Sequence, residues 1–144
     1  MKTMKNMNVY LTFDGTCKDA LEHYKESLGG EIVSLQTFGE APTTNIPDEQ
    51  KNNVMHAEFR AGDIYFMASD SMPEQCLTAG NNVTLNIGLN SLDEQESIFG
   101  KLSDGGAVTM PLQDTFWGAR FGMLTDKFGI NWMLNCEVHP HIPA

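Results

Sequence analysis

The apolar positions of this chain change period several times, and each change marks an element. In "TCKDALEHYKESLGG" apolar or small residues fall at Cys17, Ala20, Leu21, Tyr24 and Leu28, the stripe of one helical face. Thr16 stands as N-cap with Asp19 three residues on, a weaker form of the capping box. Gly29 and Gly30 close this helix, because glycine accepts the left-handed conformation at a helix C-terminus. A second stripe, Leu92, Ile98, Phe99 and Leu102, follows the full S-x-x-E box of Ser91 and Glu94 and ends at Gly105-Gly106. Elsewhere the apolar residues alternate with period two, and strands are expected.

The strands repeat around the helices. "NVYLTF" (Asn8–Phe13) precedes the first helix and "NVTLNI" (Asn82–Ile87) the second, with Asn8 on Asn82, Val9 on Val83, Leu11 on Leu85 and Phe13 on Ile87. After each double glycine comes "EIVSLQTF" or "AVTMPLQDT", then "VMHAEFRAG" or "ARFGMLTDKFG", then "DIYFMASD" or "GINWMLNCE". In the last pair Ile64 falls on Ile130, Phe66 on Trp132 and Met67 on Met133. The pattern predicts an α+β chain, one domain built of two tandem βαβββ modules at about 7–70 and 81–137, with a short tail over 138–144. The loops "GEAPTTNIPDEQKNN" and "SMPEQCLTAGNN" read as insertions rather than linkers.

Side chains alternate faces along a strand, so parity sorts them. Val9, Leu11 and Phe13, Ala57 and Phe59, Phe66 and Ala68, Trp132 and Leu134, and Phe121 with Met123 are assigned to the helix side. The opposite face then carries Tyr10, Thr12, His56, Glu58, Arg60, Tyr65, Met67, Arg120, Met133 and several asparagines. An open wet face more usually carries Lys, Glu and Asp. A face of neutral hydrogen-bonding groups, aromatics and methionine predicts a concave, partly dry pocket.

Composition narrows the function classes. The 144 residues carry 19 acidic and 9 basic side chains, a formal net charge of -10, with no basic cluster. Such a surface repels phosphate backbones and anionic lipid, so neither nucleic acid nor membrane is an expected partner. Cys17, Cys76 and Cys136 are odd in number and widely spaced, which fits a reducing compartment rather than a disulfide framework. "MKTMKNMNVY" has no apolar h-region, and the expected location is cytoplasmic.

Three segments together resemble the vicinal oxygen chelate superfamily of glyoxalase I and bleomycin-resistance proteins, and within it the PhnB-like branch. They are "YLTFDGTCKDALEHYKESLGGE", "VMHAEFRAGDIYFMASD" and "GGAVTMPLQDTFWGARFGMLTDKFGINWM". The resemblance implies paired βαβββ modules whose strands form a cupped mixed sheet around a cavity, commonly in a homodimer. Metal enzymes of that superfamily hold ligands at the start of each module's first strand and on its last strand. Carried over, those positions fall on Asn8, Met67, Asn82 and Met133, none of them the His or Glu such chemistry uses. PhnB-like proteins are often labelled demethylubiquinone methyltransferases, yet no glycine-rich nucleotide loop follows a strand here, and the label gains no support from the residues.

The candidate chemistry is accordingly sparse. The expected pocket residues are Tyr10, His56, Glu58, Phe116, Trp117 and Arg120, binding a small molecule with no metal or other cofactor. In "QDTFWGARFG", Phe116 and Trp117 supply either an aromatic wall beside a carboxylate- or phosphate-binding Arg120, or a hairpin that fills the core or a dimer seam. His56 and Glu58, two apart on one face, are either a displaced divalent-metal or acid/base site or a hydrogen-bonded polar pair. The metal alternative makes the chain an isomerase, lyase or dioxygenase. His139 and His141, in "EVHPHIPA", are expected in a frayed tail rather than at a metal.

Overall fold

The computed structural model describes residues 5–41, 46–72 and 74–138. His139 and His141 lie outside the described residues. The chain divides after Leu77 into two compact units, each one βαβββ module. Both are α+β, as the alternation of periods predicts.

In module one the elements run β1 (Val9–Phe13), α1 (Cys17–Leu28), β2 (Glu31–Thr37), β3 (Val54–Ala61) and β4 (Ile64–Asp70). The sheet order is β1-β4-β3-β2, with β1 parallel to β4 and the other pairs antiparallel. One face packs on α1: Leu11, Phe13, Ala57, Phe59, Phe66 and Ala68 are buried with Ala20, Leu21 and Tyr24 of the helix. Phe59 stacks on Phe66 at 4.9 Å between centroids, and Tyr24 meets Phe66 edge-on at 5.8 Å.

The start of α1 is not capped by Thr16, whose side chain makes no cap hydrogen bond. Asp70, buried at the end of β4, does that work from a distance in sequence. Its Oδ1 accepts from the Cys17 backbone N–H at 2.9 Å and its Oδ2 from Val54 N–H at 2.8 Å. A charged acceptor also favours the positive helix start. At the other end, Gly29 takes φ 73°, the left-handed closure expected of it.

Module two runs β5 (Leu85–Leu89), α2 (Leu92–Leu102), β6 (Ala107–Asp114), β7 (Ala119–Thr125) and β8 (Asn131–Glu137), in the order β5-β8-β7-β6. Ser91 caps α2, its Oγ accepting from Glu94 N–H at 3.2 Å. Ile87, Ile98, Phe99, Leu102, Leu124, Trp132 and Leu134 form the core. Trp132 buries its indole and donates Nε1–H to Asp126 Oδ2 at 2.8 Å. Gln95 of α2, fully buried, donates its amide to the carbonyls of Arg120 and Leu134 and so ties the helix to β7 and β8. Among the described residues no helix is long and apolar enough to cross a membrane.

Two expectations about strands need correction. The first strand of module two begins at Leu85, not Asn82, and the internal match shifts by two residues. Val9 pairs with Phe66 while Leu85 pairs with the equivalent Trp132, so Val9 corresponds to Leu85 and Tyr10 to Asn86. A shift of two keeps every side chain on its face. The other correction is a reversal of faces on β7. There Leu124 lies opposite Trp132, Gly122 opposite Leu134 and Arg120 opposite Cys136, which places Arg120, Gly122 and Leu124 on the α2 side. Phe121 and Met123, opposite Asn135 and Met133, are on the free face. The reason is packing at Gly122: a Cβ there would come within 2.9 Å of Phe99 Cε2 and Leu112 Cδ2, so neighbours already fill the core position that glycine leaves empty.

Candidate functional site

In module one the face away from α1 brings Tyr10, His56 and Glu58 onto one surface. Tyr10 of β1 pairs with Met67, Met67 with Glu58, and Glu58 with Ser34 of β2, so all four strands contribute. Glu58 is the hub. Its Oε1 accepts from the Tyr65 hydroxyl at 2.9 Å and its Oε2 from Ser34 Oγ at 3.3 Å. Arg60 lies over the Tyr65 ring, 5.0 Å from its centroid, close enough for a cation–π contact.

Tyr65 holds its proton more firmly than a free phenol. The hydrogen bond to Glu58 raises its pKa first, burial and the Glu58 charge add to this, and Arg60 opposes it. Parity placed Tyr65 on this face but not in the candidate site; its partnership with Glu58 needed the diagonal geometry of β3 and β4.

His56 is not the partner of Glu58, whose oxygens are taken by Tyr65 and Ser34. Its imidazole lies 6.0 Å from the Tyr10 ring at a 39° tilt, and its nitrogens have no hydrogen bond among the described residues. Tyr10 itself is 47% exposed. The surface thus offers one carboxylate held in a set orientation, one imidazole with unused hydrogen-bonding capacity and one accessible aromatic ring.

Phe116 and Trp117 occupy the tip of the β6–β7 hairpin in module two. Thr115 N–H and Oγ1–H both donate to Ala119 O, and Gly118 closes the three-residue loop at φ 82°. The aromatics neither fill the core nor cover it: Phe116 is 96% exposed and Trp117 56%. Trp117 stands edge-on to Phe116 at 5.1 Å and to Phe121 at 6.1 Å, forming a short aromatic row.

Arg120 does not join that row. It sits on the α2 side of β7, opposite Cys136, 3.9 Å from Asp114 Oδ1 through its Nε. That separation is an ion pair and too long for a hydrogen bond, and the buried Nε has no hydrogen-bond partner among the described residues.

Two four-stranded mixed sheets, each backed by one helix and each with a free face of polar, aromatic and methionine side chains, define a glyoxalase/bleomycin-resistance-like α+β fold. A glyoxylase/bleomycin resistance protein/dioxygenase domain from Frankia, 13% identical, shares the fold at TM-score 0.66 over 94% of this chain and 99% of its own. The particular family is more closely drawn. The chain belongs to the PhnB-like family, whose model, described as 3-demethylubiquinone-9 3-methyltransferase, matches residues 5–135. Protein YjdN of Escherichia coli is 33% identical over 138 residues, covering 90% of this chain and 93% of that one. The crystal structure of PA1353 from Pseudomonas aeruginosa, 37% identical, superposes at TM-score 0.84 over 93% of this chain and 98% of its own. The PhnB protein of Bacillus cereus, 28% identical, gives TM-score 0.78 over 92% and 99%.

The fold's metal-ligand positions do not fit a metal in this chain. Strand pairing puts Asn8 in correspondence with Thr84 rather than Asn82, and Met67 with Met133. Asn8 and Met67 in module one, and Thr84 and Met133 in module two, offer amide, hydroxyl and thioether groups, each a poor donor for the divalent ions that imidazole and carboxylate hold. Among the described residues no three His, Cys, Asp or Glu side chains gather to replace them.

Proposed function

We propose that the chain binds a small organic molecule on the free face of its sheets, without a metal, and performs no metal-assisted chemistry there. The observation that carries this reading is the oriented Glu58 carboxylate beside the unpaired His56 imidazole and the exposed Tyr10 ring. Hydrogen-bonding groups already set in place lower the ordering cost of binding, and an aromatic ring supplies apolar area. In module two, Phe116 and Trp117 offer an exposed aromatic surface of their own in the same reading. The chain is taken as a homodimer, a state supported by the exposure of Val9, Val83, Phe116 and Trp117.

A second reading rests on His56, whose free nitrogens leave it able to ligate: a displaced divalent-metal site with Glu58, and hence an isomerase, lyase or dioxygenase. Elemental analysis of untagged protein, desalted after incubation with Zn, Ni, Mn and Fe(II), separates the two. No retained metal, together with a screened ligand whose affinity falls in Tyr10→Ala and Glu58→Gln, supports the binding reading. A stoichiometric metal lost in His56→Ala overturns it.

A further inference from the structure

A hollow of about 520 Å³ lies at the corner of module two where β5 turns into α2, lined by Gly88, Leu89, Asn90, Glu94, Asn135 and Glu137. It shares no residue with the Tyr10, His56 and Glu58 surface of module one, but Gly88 and Asn135 stand on the free face of module two, so the inference rests on the reading of the free faces as ligand-binding and names a ligand class for this one. Gly88 and Asn135 pair across β5 and β8.

Gly88 is the unusual member. It sits inside a strand, where glycine costs about 0.5–1 kcal/mol relative to alanine. Nothing in the fold asks for it: its φ is not positive, and a Cβ built on it would meet no atom within 4 Å. Glycines inside strands often mark a bulge, a bend or a close approach of a ligand or another backbone, and the pairing of β5 with β8 runs through Gly88 without a bulge or register shift. The space over Gly88 is the hollow.

The chemistry of the lining is one-sided. Glu94 and Glu137 bring two carboxylates, Asn90 and Asn135 two carboxamides, and no lysine or arginine faces them from the wall. Such a wall, in a chain of net charge -10, favours a ligand carrying positive charge and repels an anion. Size separates the possible cations. A hard divalent ion needs six or more oxygens at about 2.3–2.6 Å, whereas a space of about 520 Å³ is that of an organic ligand.

We propose that this hollow binds a small organic cation, of the alkylammonium class, with Glu94 and Glu137 meeting the charge, Asn90 and Asn135 accepting its N–H hydrogens, and Gly88 leaving room for its carbon chain. The full chain, labelled with nitrogen-15, is titrated with 1,4-diaminobutane at constant ionic strength, and with 1,4-butanediol and succinate as neutral and anionic controls of similar length. The expected result is saturable shifts of the Gly88, Asn90 and Asn135 amides with the diamine alone. The surface double variant Glu94→Gln/Glu137→Gln weakens binding about tenfold, and Gly88→Leu removes it with the fold's circular dichroism unchanged. Equal response to the diol, shifts scattered over all acidic residues, or an unchanged affinity in the double variant overturns the proposal. The double variant, confined to exposed side chains, decides the matter if Gly88→Leu does not fold.

Discussion

Tyr65 reaches diagonally from β4 to Glu58 on β3, its hydroxyl 2.9 Å from Oε1, although the residue directly opposite it is Arg60. This diagonal sets the orientation of the carboxylate in the candidate site and protects the phenol's proton. Glu58→Gln removes the charge and the strongest acceptor, so the Tyr65 pKa falls back toward the ordinary value of about 10. The sign follows from linkage: a folded pKa raised above the unfolded one favours the neutral phenol. That contribution is therefore present below the ordinary value and lost as pH climbs through the raised one. Alkaline titration of tyrosinate absorbance in wild type, Glu58→Gln and Tyr65→Phe checks it; an unmoved titration in Glu58→Gln contradicts the geometry.

Asp70 accepts from two backbone N–H groups that belong to different elements, the first turn of α1 and the start of β3. Asp70→Ala leaves both donors buried without a partner, at a cost of about 2–4 kcal/mol. Urea unfolding at neutral pH should show the midpoint falling with little change in slope. Thr16→Ala, at the formal N-cap, should leave the midpoint nearly unmoved.

The thiols should separate cleanly by reactivity. Burial, reinforced by the Asp70 charge, pushes the Cys17 thiol up to about 12, and Cys136 is also buried, while Cys76 is exposed. Thiolate is the reactive form, so a disulfide reagent should modify Cys76 rapidly in the native protein and reach Cys17 and Cys136 only on unfolding. Fast loss of the Cys17 thiol in the folded state would contradict its placement.

Gly122 occupies a core position on β7 with no room for a side chain, since Phe99 and Leu112 fill the space where Cβ would stand. Gly122→Ala should destabilise module two by about 1–3 kcal/mol through overpacking. Gly88→Ala on β5, beyond β8 in the same sheet, where Cβ meets nothing, should be neutral or slightly stabilising. Thermal melts of the two variants make the comparison, and equal effects would be inconsistent with the packing described.

Hydrophobic periodicity alone determined the modular plan. The stripes from Cys17 to Leu28 and Leu92 to Leu102 delimit the two helices, the first closed by Gly29 as expected and the second by Ser103, ahead of the glycine pair, and the order of strands around them specifies βαβββ twice. Parity alone also placed Tyr10, His56 and Glu58 on one free face, because module one's strands alternate apolar and polar residues without ambiguity. On β7 that logic failed. Phe121 and Met123 are apolar but face away from the helix, and the true core residue, Gly122, has no side chain to announce itself. Only the pairing of β7 with β8 settles which face is which, and with it the position of Arg120. The capping role of Asp70, the bond from Tyr65 to Glu58 and the opening above Gly88 were likewise decided by the tertiary structure. Each joins groups that the chain separates, and side-chain identity carries no record of which strands will become neighbours.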